Sequence, residues 1–161
     1  MIASIPSDDG DLRELYRELI LDHARNPRHF GRLEDATHTA QGINPLCGDK
    51  LELYLALDNE ATIRDVSFEG SGCAISMASA SLLTETVIGL TVEQADACFA
   101  AVTDRLTGTR EGDATPAGLD LDRIRALDGV REFPSRVKCA TLAWHALDSA
   151  IHRHTAPVST E

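Results

Sequence analysis

Three short segments, THTAQGI, KLELYLAL and TIRDVSF, follow one another between Thr37 and Phe68, separated only by NPLCGD and DNEA. Each is β-branched or alternating, and the separators are turn chemistry. Parallel neighbours in a sheet need a long crossover, which connectors this short do not provide. The chain is therefore expected to form a small three-stranded antiparallel sheet, a meander.

Helical patterns surround it. Leu12, Leu15, Tyr16, Leu19 and Ile20 recur at helical spacing between Asp11 and Arg25, after acidic Asp8 and Asp9 and before the stop NPRHFG. After EGSGC the composition turns small and helical in AISMASASLLTETVIG. A second helix is expected in TVEQADACFAAVTDRLTG, with Thr91 as N-cap and Glu93 and Asp96 in its first turns. TREGDATPAGLD reads as a loop and LDRIRALDG as a short helix. FPSRVKCATLAWHALDSAIHRH carries a long helical pattern, and TAPVSTE reads as a frayed tail. Helices grouped around a run of strands predict an α+β fold rather than a βαβ array. The 161 residues, 43% hydrophobic and without repeats, suit one domain with a sizeable core.

A formal net charge of -11 argues against sequence-independent binding to nucleic acid or to anionic membrane. The opening MIASIPSDDGDLREL lacks the cationic and apolar regions of a secretory signal, and no stretch approaches the roughly 18 apolar residues of a membrane span. A cytoplasmic location is expected. Four cysteines in a reducing compartment are then a question of metal, reactivity or packing rather than of disulfides.

Cys47 lies in a turn beside Gly48 and Asp49, where thiolate and carboxylate can reach one ion, although a small buried residue next to an acidic turn residue would look the same. Cys73 follows two glycines at a helix start, where the helix dipole favours thiolate; close strand-to-helix packing is the alternative. Cys139 sits in the first turns of the last helix, after the Phe133-Pro134 break, and shares a face with Leu142, Ala143, Ala146 and Ala150. Core filling competes there with the thiolate chemistry that neighbouring Arg136 and Lys138 would support. Cys98, mid-helix near Ala95, Phe99 and Val102, is assigned to packing. Three thiols and Asp49 make the four ligands of tetrahedral zinc, but spacings of 26 and 66 residues are no zinc-finger signature. Each histidine is expected to be solvated or satisfied; His145 lies about 120° around its helix from Cys139.

Four separated blocks, LYRELILDHARNPRHFG, NPLCGDKLEL, FEGSGCAISMASASLLTE and FPSRVKCATLAWHAL, resemble in order the signature blocks of the U-type iron-sulfur assembly proteins, and specifically their SufU branch. The resemblance runs from about Leu12 to His152. It implies an α+β SufU/IscU-like fold whose surface site uses Cys47, Asp49, Cys73 and Cys139 as ligands. The related IscU-like branch typically has histidine before the third cysteine, where this chain has Lys138. A lysine ammonium has no lone pair for a metal, which leaves Asp49 as the fourth ligand. The stretch from about Leu106 to Val130 is similar to the loop-helix insertion of the SufU branch.

The resemblance further implies a zinc-bound sulfur acceptor, a zinc-dependent sulfurtransferase working with a SufS-type pyridoxal-phosphate cysteine desulfurase. A downstream Suf scaffold complex is a further implied partner. In that branch a desulfurase histidine is thought to replace one thiolate on zinc, with Cys47 as the freed acceptor. Arg136 and Lys138 are candidates for supporting the ligands, with a solvated surface arginine as the alternative for Arg136. The rival function is a scaffold that builds a transient iron-sulfur cluster on the same four residues.

Overall fold

The computed structural model describes residues 9–108, 119–152 and 158–160. Helix α1 (Asp9–Arg25) leads into strands β1 (His38–Asn44), β2 (Asp49–Leu57) and β3 (Ile63–Ser71), then helices α2 (Ala74–Val87) and α3 (Val92–Thr107). A 3-10 helix (Arg123–Glu132), helix α4 (Pro134–Ile151) and a short strand β4 (Val158–Ser159) complete the order. The meander is as expected: β1 pairs antiparallel with β2, and β2 with β3. The sheet also has a fourth member, in the order β3-β2-β1-β4. In the segment read as a frayed tail, Val158 and Ser159 pair in parallel with Gly42 and Ile43, and Thr160 N–H donates to the Ile43 carbonyl at 3.1 Å. The rest of that segment, 155–157 and 161, lies outside the described residues.

Alternation along β2 sends Leu51, Leu53 and Leu55 into the core, where they meet Ile63, Val66 and Phe68 of β3. Helix α2 packs against both α1 and α4. Its run of alanines and serines, with Ala78, Ser79, Ala80 and Ser81 all buried, lets its neighbours approach closely. The buried hydroxyls need partners. Ser79 donates to the Ala140 carbonyl and accepts from Trp144 Nε1 at 3.1 Å, which ties α2 to α4. Thr91 caps α3 as expected, but the reciprocal bond comes from Gln94, whose side chain accepts the Thr91 N–H at 3.0 Å.

The expected short helix after the loop is a 3-10 helix, and the sequence contains the reason. Ile124, Leu127 and Val130 recur every third residue, so three residues per turn stack them on one buried face where an α-helix would spread them. Arg105 of α3 holds this element through a two-pronged bond to Asp128, both contacts at 2.7 Å. Residues 109–118, most of the expected loop, are outside the described set.

His23, only 2% exposed, joins α1 to α2. Ser81 Oγ accepts the Arg28 N–H at 2.8 Å and lies within hydrogen-bond distance of His23 Nδ1, at 2.7 Å. The neutral ring then turns its Nε2 toward Glu85 Oε1 at 3.5 Å. Burial, and secondarily the Arg28 charge, push the His23 pKa below its ordinary 6.5. Below that pH the unfolded chain binds a proton that the folded chain resists, so this contribution to stability is complete above 6.5 and is lost on acidification. Melting temperature in the presence of a chelator should therefore fall between about pH 7.5 and about pH 5.5, and His23→Gln should flatten that slope. Identical slopes for the two proteins would contradict this account.

Candidate metal centre

Asp49 and Asn44 are register partners at the end of the β1–β2 hairpin, and both are fully buried. The turn between them is closed by the Cys47 N–H donating to the Asn44 carbonyl at 3.3 Å. Gly48 takes φ +71 there, a left-handed conformation suited to glycine, and Cys47 is left exposed. Beyond β3, Cys73 forms the N-cap of α2, its sulfur accepting the Ser76 N–H at 3.4 Å. The Cys73 N–H in turn donates to Asp49 Oδ1 at 2.8 Å. The carboxylate approaches this loop so closely that a Cβ on Gly72 would lie 2.5 Å from Asp49 Oδ1, so only glycine fits.

Cys139 enters from α4. Pro134 starts that helix, and Cys139 faces inward with Leu142, Ala143, Ala146 and Ala150, as its periodicity predicts. Its sulfur is fully buried, 3.2 Å from Cys47 Sγ and 3.5 Å from the Ser135 carbonyl. Burial pushes the Cys139 thiol well above its ordinary pKa, and the neighbouring Cys47, Asp49 and Cys73 add to the rise. Asn44 Nδ2 donates both to Asp49 Oδ2 at 3.3 Å and to Cys139 Sγ at 3.4 Å.

The β1–β2 turn and α4 thus bring Cys47, Asp49 and Cys139 to one point, with Cys73 beside Asp49 at its edge. Ligand atoms of Cys47, Asp49 and Cys139 all lie within 4.8 Å of one another, and Cys73 Sγ is 4.0 Å from Asp49 Oδ2. Thiolates on a tetrahedral zinc, with Zn–S of about 2.3 Å, sit about 3.8 Å apart. The one close sulfur pair, Cys47 and Cys139, is 3.2 Å apart, somewhat tighter than that spacing. Among the described residues, no lysine, arginine or histidine forms a hydrogen bond or ion pair with the four. A carboxylate and three thiols with no cation bonded to them among the described residues are a donor set that a divalent, thiophilic metal fits.

The remaining sequence candidates are elsewhere. Arg136 is exposed, and Lys138, half-buried, lines an open groove of about 400 Å³ with Pro134, Val137, Thr141 and His145. Adjacent residues of a helix point about 100° apart, so Lys138 does not follow Cys139 into the cluster. Cys98 is buried in α3, where desolvation pushes its thiol up to about 12. His145 packs edge-on against Phe99, and His152 pairs with Asp96 at 3.0 Å and Asp148 at 3.5 Å. Asn44 is the residue that sequence reasoning passed over. An asparagine before proline reads as ordinary turn chemistry, and nothing local reports its bond to Cys139, 95 residues away.

The NifU-like N terminal domain family matches residues 15–121. The chain belongs to that family. This U-type chain is 41% identical over 145 residues to the zinc-dependent sulfurtransferase SufU of Bacillus subtilis, covering 90% of this chain and 95% of the relative. It is equally similar, 42% over 142 residues, to the iron-sulfur cluster assembly scaffold protein IscU of Streptococcus pyogenes, covering 88% of this chain and 86% of that one. A solved structure from Fervidobacterium islandicum, described as a candidate iron-sulfur cluster assembly scaffold for the SUF system, superposes with a TM-score of 0.75 at 35% identity. That match covers 86% of this chain and 98% of the other. The expected family and the SufU/IscU-like α+β fold are both borne out. No helix among the described residues is long and apolar enough to cross a membrane.

Proposed function

We propose that this protein is a zinc-bound sulfur acceptor in iron-sulfur cluster assembly, taking persulfide sulfur from a SufS-type cysteine desulfurase, with Cys47, Asp49, Cys73 and Cys139 as the zinc ligands. One observation carries the choice of acceptor. Three of the four donors are tied to the framework: Asp49 by the Cys73 N–H and Asn44, Cys73 by the Ser76 N–H, and Cys139 by Asn44. Among the described residues the Cys47 sulfur is bonded only to the neighbouring Cys139 sulfur, and Cys47 alone of the three is exposed. A loosely held, exposed thiol can leave the cluster at small cost, whereas the others would break framework bonds.

When bound, zinc would keep these thiols deprotonated at neutral pH and would add no redox chemistry of its own. The Cys47 thiolate attacks the outer sulfur of the desulfurase persulfide. A new S–S bond forms on Cys47, the donor S–S bond breaks, and its electron pair leaves on the desulfurase cysteine as thiolate. Sulfur moves without net oxidation, so no further reductant is needed. Leu46, 67% exposed beside Cys47, and Phe133, 56% exposed at the start of α4, offer apolar surface for the docking partner.

The scaffold reading has its own support, since the same four donors suit an iron-sulfur cluster and relatives matched over most of their length are named scaffolds. Overall identity does not separate the two. Lys138, at the position where the IscU-like branch carries histidine, favours the sulfur acceptor, because the donor set then closes on Asp49. Metal analysis distinguishes them. The purified protein should hold close to one zinc and form no chromophore with iron and sulfide. A stable iron-sulfur chromophore in place of zinc would favour the scaffold.

A further inference from the structure

Asn44 touches three of the four candidate ligands. Its carbonyl accepts the Cys47 N–H, while the side-chain Nδ2 reaches Asp49 at 3.3 Å and Cys139 at 3.4 Å. The residue is fully buried, and its Oδ1 has no partner among the described residues. Leaving a buried amide oxygen unpaired costs about 1–3 kcal/mol. The flipped amide would be worse, because Oδ1 would then face a carboxylate oxygen and a sulfur, acceptor against acceptor. The observed orientation is thus fixed by the two bonds that the NH2 group donates. Bonds of this kind strengthen when their acceptors are anionic, as Asp49 and a metal-bound Cys139 would be.

We infer that Asn44 is the positioning residue of the metal centre: one NH2 group clamps Asp49 and Cys139 together and leaves Cys47 as the ligand free to depart. The inference rests on the reading of these residues as zinc ligands. Donation to the Cys139 sulfur has a second effect. It lowers the basicity and hence the nucleophilicity of that thiolate, so that two sulfurs only 3.2 Å apart differ in reactivity.

The test uses the full chain, with zinc affinity measured by chelator competition and the thiolate-to-cobalt charge-transfer bands read after cobalt substitution. Asn44→Ala removes the amide, and Asn44→Leu removes the donors while keeping most of the volume. Both are expected to bind zinc about 10–100-fold more weakly, the usual effect of losing a partner that orients metal ligands. Their cobalt bands should shift, which a general loss of stability would not produce. Zinc affinity within twofold of wild type and unchanged bands, in a variant with wild-type circular dichroism, would overturn the inference. A second measurement avoids the variants: the side-chain NH2 resonances of Asn44 should move when the wild-type protein is loaded with zinc, and unmoved resonances would overturn it too. Failure of the wild-type protein to bind zinc would instead remove the metal reading beneath it.

Discussion

Cys47→Ala is expected to stay folded, keep most of its zinc, and accept no sulfur. An exposed side chain outside the core contributes within about 0.5 kcal/mol of stability, so melting temperature should barely move. Asp49, Cys73 and Cys139 retain their framework hydrogen bonds in this variant, which is why the metal should stay. Desulfurase turnover in its presence should fall to the level measured with no acceptor added. Undiminished stimulation would show that sulfur reaches another thiol, and a complete loss of zinc would show that Cys47 is a holding ligand rather than a departing one.

The second large effect is expected at Asp49. Its carboxylate accepts from the Cys73 N–H at 2.8 Å and from Asn44, and a Cβ on Gly72 would come within 2.5 Å of its oxygen. Asp49→Ala therefore removes a proposed ligand, the acceptor that seats the α2 N-terminus, and the partner of a buried amide. Each donor left unpaired in a buried setting costs about 1–3 kcal/mol, so stability falls as well as metal binding. Zinc affinity should drop by at least ~100-fold, beyond the range usual for a partner one bond further out. Cys98→Ala is the matched control, a buried thiol in α3 away from the site, and it should leave zinc affinity unchanged. Equal zinc loss in the two variants, measured by chelator competition, would mean that Asp49 is not the fourth ligand.

The parts of this structure that were legible in the sequence are those governed by local rules. Short turn-rich connectors gave the antiparallel meander, and helical periodicity gave α1, α3 and α4, including the inward face of Cys139. Cys73 is legible as a thiol at a helix start, and the structure makes it the N-cap of α2. The three-residue period of Ile124, Leu127 and Val130 is also present in the sequence, although a short helix of either kind would carry it. Strand β4 was not legible, because two residue pairs formed at long range leave no periodic trace.

The site divides the same way. Each cysteine could be weighed from its own neighbours, yet spacings of 26 and 66 residues said nothing about whether the thiols meet. Their convergence came from family resemblance, and the distances in the structure now give it geometry. Of the supporting candidates, Lys138 is turned about 100° around the helix from Cys139, and Arg136, three residues before it, is exposed. Asn44, which holds the two buried ligands, carries no mark that distinguishes it from a turn asparagine.

The central claim is that Cys47 receives sulfur while the other three residues keep the metal. The most direct measurement incubates the zinc-loaded protein with a purified SufS-type desulfurase and cysteine, then maps the added sulfur by peptide mass spectrometry alongside zinc content. One sulfur atom on the peptide containing Cys47, with zinc retained, is the result expected. Sulfur on Cys73 or Cys139, or an iron-sulfur chromophore with Cys47 unmodified, would contradict it.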